Sequence, residues 1–173
     1  MILEKPLSSM AGTKPYMAPE VFNAAAKTTK GLSGYSYPVD WWSLGVTAFE
    51  LKTGYRPYDI HSRTSLSTVI SLMDENQQLS YSNKWSPEFT KFIQSLLCVR
   101  PEGRISSLAA MKSTKLMANV NLLSLQAKKL PPPFVPQVIF RPDIISHLTK
   151  YLHIYIICVY HYLFYYSGGW LKL

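Results

Sequence analysis

Apolar positions along the chain form two helical patterns and one uncharged run. In the clearest pattern, Phe89, Phe92, Ile93, Leu96 and Leu97 recur at offsets 0, 3, 4, 7 and 8. That is the stripe of an α-helix with one buried face, and the five are read as core. The start of this helix is written just upstream. Ser86 can cap it, Pro87 fits the first turn without losing a hydrogen bond, and Glu88 complements the helix dipole. The second pattern runs through Trp42, Leu44, Val46, Phe49 and Glu50, with Trp41, Gly45, Ala48 and Leu51 adding apolar residues around much of the girdle. A helix apolar on most sides is usually buried. Asp40 is read as its N-cap and Gly54 as its stop. Weaker signals predict helices from about Ser65 to Glu75 and from about Ser107 into Met111. Strand signals are poor, so the fold class is mainly α.

Three zones follow from this pattern. Residues 1–130 read as a globular, mainly helical segment. Residues 131–142, PPPFVPQVIFRP, hold five prolines and exclude a helix interior. Residues 143–173 are an apolar, aromatic tail of a different character, and no internal repeat occurs.

Composition narrows the function classes. With 47% hydrophobic and 16% charged residues among 173, one domain with a buried core is expected. The net charge of +8 raises nucleic acid or an acidic membrane as partners. Its distribution argues against nucleic acid. Residues 1–110 carry a net +2, and the remaining +6 is scattered over Lys112, Lys115, Lys128, Lys129, Arg141, Lys150 and Lys172 against Asp143. Cys98 and Cys158 are too far apart in sequence for a CxxC motif, so neither a disulfide framework nor a zinc site is indicated, and a reducing compartment is the default. The segment MILEKPLSSM has no apolar run long enough for a signal peptide.

Four short motifs carry more specific information. They are Gly12-Thr13-Lys14-Pro15-Tyr16-Met17-Ala18-Pro19-Glu20, then Asp40-Trp41-Trp42-Ser43-Leu44-Gly45, then Gly54-Tyr55-Arg56-Pro57-Tyr58, and finally Arg100-Pro101-Glu102-Gly103-Arg104. Each alone is weak. In this order and spacing they resemble the second half of a eukaryotic serine/threonine protein kinase domain, over roughly residues 8–115. The wording GTKPYMAPE and YPVDWWSLGVTAFEL is most similar to the YANK-type kinases, relatives of the AGC group.

The resemblance implies a partial kinase C-lobe and specific roles. Gly12 and Thr13 would lie in the loop that receives the substrate. Ala18, Pro19 and Glu20 would close the activation segment, with Glu20 ion-paired to Arg104. Asp40, Trp42 and Gly45 would belong to the scaffold of the lobe, Asp40 holding the catalytic loop. All of these have a purely structural reading that is at least as strong as a chemical one. Ser8 and Ser9 sit where such kinases carry activating phosphorylation, though two serines in a flexible segment is an equal reading. The family's central helix packs against a helix that precedes this region, so the apolar faces of helix 40–53 are expected to be exposed.

The residues that would transfer phosphate are not in the sequence. Phosphoryl transfer needs a glycine-rich loop over the phosphates, a strand Lys paired with a helix Glu, a catalytic Asp with its Asn, and a metal-binding Asp before Phe-Gly. No GxG occurs among the eight glycines, no His precedes Arg-Asp, and no Asp precedes Phe-Gly. No catalytic, cofactor-binding or metal-binding residue is therefore assigned. ATP and magnesium are expected only for the full-length family, and this stretch is expected to be inert alone, a binding or regulatory module for the substrates or regulators of a parent kinase. Activity within a longer or complemented chain is the alternative.

LPPPFVP, residues 130–136, resembles the Pro- and Phe-rich extension that follows the last helix in relatives. Beyond Phe140 the resemblance ends. Tyr151 to Tyr166, YLHIYIICVYHYLFYY, is uncharged, with six tyrosines and two histidines. Three readings stand: unrelated sequence from an altered transcript or gene model, membrane or interfacial association, and packing onto the lobe. A membrane helix needs about 20 mostly apolar residues, and an uncharged, β-prone run is also an aggregation hazard. The expected location is cytoplasmic, with membrane association through Tyr151 to Tyr166 as the alternative.

Overall fold

A computed structural model describes residues 10, 12–26, 34–74 and 79–131. Ser8, Ser9, the proline-rich segment beyond Pro131 and the run Tyr151 to Tyr166 lie outside the described residues. Every regular element among the described residues is helical. The chain divides into two units after Thr114.

In the first unit, helix α1 spans Pro19–Ala25 and α2 spans Pro38–Thr53. Both open on proline at the first turn, where its fixed φ suits the helix and its missing N–H would be unsatisfied anyway. This corrects the sequence reading of α2. The helix starts ahead of Asp40, and its N-cap position is Tyr37, with no side-chain cap bond. Asp40 is instead an exposed acid in the first turn, where it complements the dipole. At the other end Gly54 adopts φ +80° and donates its N–H to the Glu50 carbonyl at 2.7 Å. A positive φ there favours glycine.

Hydroxyl caps start the next three helices. α3 spans Leu66–Leu72, with Ser65 Oγ accepting from the Thr68 N–H at 3.1 Å. It is shorter than the expected 65–75, since Met73 already leaves helical geometry. α4 spans Pro87–Leu96, with Ser86 Oγ accepting from the Phe89 N–H at 3.2 Å. α5 spans Leu108–Lys112, with Ser107 Oγ accepting from the Ala110 N–H at 3.1 Å.

The core of this unit lies where α2 packs on α4, and α1 packs on α3. Trp42, Val46, Phe49, Phe89, Ile93 and Leu96 are buried there. Gly45 sets how close the two long helices come. A Cβ at that position would lie 2.8 Å from the Leu96 Cβ and 2.9 Å from a Leu97 methyl. The exposed apolar face expected for α2 is not found. Trp41 and Leu51 are half-buried, and the other large apolar side chains from Trp42 to Phe49 are buried.

An aromatic ladder closes one end of the same seam. Phe49 meets Tyr55, Tyr81 and Trp85 edge-on, at centroid distances of 5.9, 6.3 and 5.5 Å. Trp85 meets Phe89 at 5.0 Å. The Lys52 ammonium lies 5.7 Å from the Phe89 ring centre, and burial lowers its pKa from the ordinary lysine value.

In the second unit, a 3-10 turn spans Lys115–Met117 and α6 spans Leu122–Gln126. Asn121 Oδ1 accepts from the Ser124 N–H at 2.9 Å to start α6. Among the described residues, no helix is long and apolar enough to cross a membrane.

The tight approach at Gly45 gives a test. Gly45→Ala is expected to lower stability by about 1–3 kcal/mol through overpacking, read from the urea midpoint. An unchanged midpoint would mean that α2 and α4 are not held at that distance in solution.

Candidate functional site

Arg104 follows the short 3-10 turn Pro101–Gly103 and is 4% exposed. A buried guanidinium must have its five N–H donors met, and all five are. Nη1 donates to Glu20 Oε1 at 2.7 Å and to the Pro38 carbonyl at 3.0 Å. Nη2 donates to Glu20 Oε2 at 2.9 Å and to the Val99 carbonyl at 3.2 Å. Nε donates to the Cys98 carbonyl at 3.0 Å. One side chain thus ties together the start of α1, the start of α2 and the loop after α4. The fork-on-fork contact with Glu20 is the bidentate geometry that favours Arg over Lys.

The same guanidinium lies over Trp42, 5.1 Å from the ring centre. On the Trp42 ring Tyr58 also stacks, at 5.9 Å and 14° between planes. Trp42 is fully buried, and its Nε1 is the buried side-chain polar atom without a hydrogen-bond partner among the described residues. Such a donor costs roughly 1–3 kcal/mol, which stacking and the cation above the ring offset. Burial pushes the Tyr58 hydroxyl up to about 12, with nearby Tyr81 adding to it. Burial likewise pushes Tyr81 up to about 12.

Residues 12–18 run along α2. Gly12 takes φ +122° and Thr13 is exposed. The 3-10 turn Lys14–Tyr16 follows, packed against α2. Three bonds pin it. Ser43 Oγ donates to the Tyr16 carbonyl at 2.9 Å. The Tyr16 hydroxyl donates to Glu50 Oε2 at 2.7 Å. Lys14 Nζ donates to the Ser62 and Thr64 carbonyls at 3.0 and 2.8 Å. The bond to Glu50 raises the Tyr16 pKa above its ordinary value, burial adds to the rise, and the Arg56 guanidinium nearby opposes it. Arg56 Nη2 also lies 3.5 Å from His61 Nδ1, while His61 Nε2 sits 2.9 Å from Asp59 Oδ1.

The structure therefore brings Glu20 to Arg104 and places Trp42 beneath Arg104. Ala18 and Pro19 are buried at the start of α1, and Gly45 lies away from this cluster, at the α2–α4 contact. Asp40 is exposed and takes no part in the clamp. Sequence reasoning did not find the Tyr16–Glu50–Arg56 group, because three residues from separate elements carry no common spacing. No group of three His, Cys, Asp or Glu that could hold a metal occurs among the described residues.

Comparison with known proteins identifies the family. Residues 1–116 match the protein kinase domain family. The chain is 46% identical over 129 residues to human serine/threonine-protein kinase 32B, covering 75% of this chain and 30% of that protein. It is 44% identical over 129 residues to mouse serine/threonine-protein kinase 32C, covering 75% and 26%. It is 34% identical over 127 residues to developmentally-regulated protein kinase 1 of Dictyostelium discoideum, covering 72% and 16%. The chain thus spans less than a third of the length of these relatives.

Two tests follow from the clamp and its neighbours. Removing one partner leaves an uncompensated buried charge, so Glu20→Gln or Arg104→Met is expected to destabilise by roughly 3–5 kcal/mol. Arg104→Lys should recover little, because an ammonium cannot reproduce the fork; chemical denaturation checks both, and full rescue by Lys would overturn the five-donor account. Tyr58 and Tyr81 are neutral in the fold up to about 12, above the ordinary tyrosine value of 10.0. Their contribution is present below that ordinary value and is lost as pH rises from it towards the folded values. Thermal melts between pH 9 and 12 should fall in the wild type and fall less steeply in Tyr58→Phe, with Tyr81 keeping its share.

Proposed function

Because the chain belongs to the protein kinase domain family, of the serine/threonine type, we propose that these 173 residues form a docking and regulatory part of such a kinase and do not transfer phosphate by themselves. The observation that carries the reading is the clamp. Arg104 spends every donor on Glu20 and three backbone carbonyls, so its chemistry is structural. Gly12 and Thr13 are exposed, at the head of a segment bonded to α2 at Ser43 and Glu50, which suits docking of a polypeptide.

The residues present do not fit a magnesium nucleotide. The sequence has no GxG loop, no His-Arg-Asp and no Asp-Phe-Gly. A lost general base alone costs about 10²–10⁴ in rate, and here the metal ligands and the phosphate cradle are missing with it. ATP-dependent phosphorylation of protein serine or threonine then requires those motifs from a longer chain or from a second polypeptide. The partners proposed are the protein substrates or regulators of the parent kinase, in the cytoplasm.

Thermal unfolding with and without millimolar Mg-ATP tests this. A ligand bound only by the native state adds RT ln(1 + [L]/Kd), about 2.7 kcal/mol at 100 times Kd. The melt is expected to stay where it is. A clear upward shift, or phosphate transfer from labelled ATP to a generic protein substrate, would overturn the proposal.

A further inference from the structure

Residues 12–18 are bonded to α2 at Ser43 and Glu50, but Lys14 within them reaches a different part of the chain. Its ammonium donates to the Ser62 and Thr64 carbonyls, 48 and 50 residues further on, at 3.0 and 2.8 Å. Those carbonyls belong to a tight turn. The Thr64 N–H donates to the His61 carbonyl at 3.1 Å, and the His61 N–H donates to Thr64 Oγ1 at 2.8 Å. Ile60, just before the turn, is fully buried, and Ser65, just after it, caps α3. His61, Ser62 and Arg63 are exposed on the turn, as Gly12 and Thr13 are on their own segment. One lysine side chain therefore spans the gap from the residue after Thr13 to a second exposed segment. A lysine ammonium is strongly hydrated and its stem is flexible, yet here two of its three N–H donors are spent on backbone carbonyls.

We propose that the docking face is built from both segments, Gly12–Thr13 and the turn 61–64, and that Lys14 is the positioning residue that holds them together for a polypeptide. This rests on the docking reading above and adds the second half of the surface. A polypeptide laid over Thr13 reaches the turn within a few extended residues, each about 3.3–3.6 Å long. Without the ammonium each segment keeps its own anchor, α2 for the first and buried Ile60 for the second, and the cross-link between them is lost. Two segments already fixed to one another spare the ligand the cost of ordering them, and that saving appears as affinity.

The test uses the full chain with two variants. Lys14→Met removes the donors, and Lys14→Arg supplies a guanidinium that can serve two carbonyls. In Lys14→Met, amide hydrogen exchange is expected to quicken about tenfold in residues 12–18 and 61–65, the effect of losing charge-assisted bonds, and to stay unchanged in α2 and α4. Lys14→Arg should restore the slow exchange. The docking probe is a fluorescent pool of serine-centred peptides with randomised flanks. Anisotropy titrations should show its binding weakened about tenfold in Lys14→Met and recovered in Lys14→Arg. Exchange that stays unchanged everywhere, or quickens equally in α2 and α4, overturns the positioning role. Peptide binding that Lys14→Met leaves intact removes the turn from the surface, which overturns the inference and leaves the docking reading standing. No peptide binding by the wild type overturns the docking reading and the inference with it.

Discussion

Everything in the first unit depends on one buried cation. Arg104 is out of water, and a charge in that position is tolerable only with its donors met. The chain meets them with a carboxylate at the head of α1, a carbonyl at the head of α2 and two carbonyls from the turn after α4. The indole of Trp42 lies under the guanidinium and Tyr58 stacks on the indole. The clamp and the hydrophobic core are therefore one object: the same tryptophan that fills the seam between α2 and α4 also receives the cation.

The second constraint is steric. At Gly45 the two long helices approach so closely that a single carbon would collide with Leu96. Where the seam ends, the ladder from Tyr55 through Phe49 to Trp85 and Phe89 takes over, with edge-on ring contacts in place of aliphatic packing. Residues 12–18 are then laid along α2 by polar bonds, leaving Thr13 exposed.

Local features of this arrangement were legible in the sequence. The cap at Ser86 and the stripe from Phe89 to Leu97 needed only helix periodicity, and the structure has both. Ser65 and Ser107 were read as helix starts for the same reason, and both serve as caps. Asp40 was misread because a good capping residue competes with a proline two positions earlier, and proline at the first turn prevailed. The meeting of Glu20 with Arg104 had no local signal at all. It came only from the family likeness of the surrounding motifs, since a contact across 84 residues leaves no periodic trace. The Tyr16–Glu50–Arg56 group had neither signal, as it is made by a turn, a helix end and a loop that only packing brings together.

The clamp also joins partners at very different distances along the chain. Its ends are 84 and 66 residues apart for Glu20 and Pro38, but only 6 and 5 for Cys98 and Val99. The near carbonyls are within reach as soon as the turn after α4 forms, while the far partners wait for long loops to close. Each far partner therefore carries a loop-closure cost that the near carbonyls do not. One side chain thus joins a turn that is local in sequence to two helix starts that are remote from it.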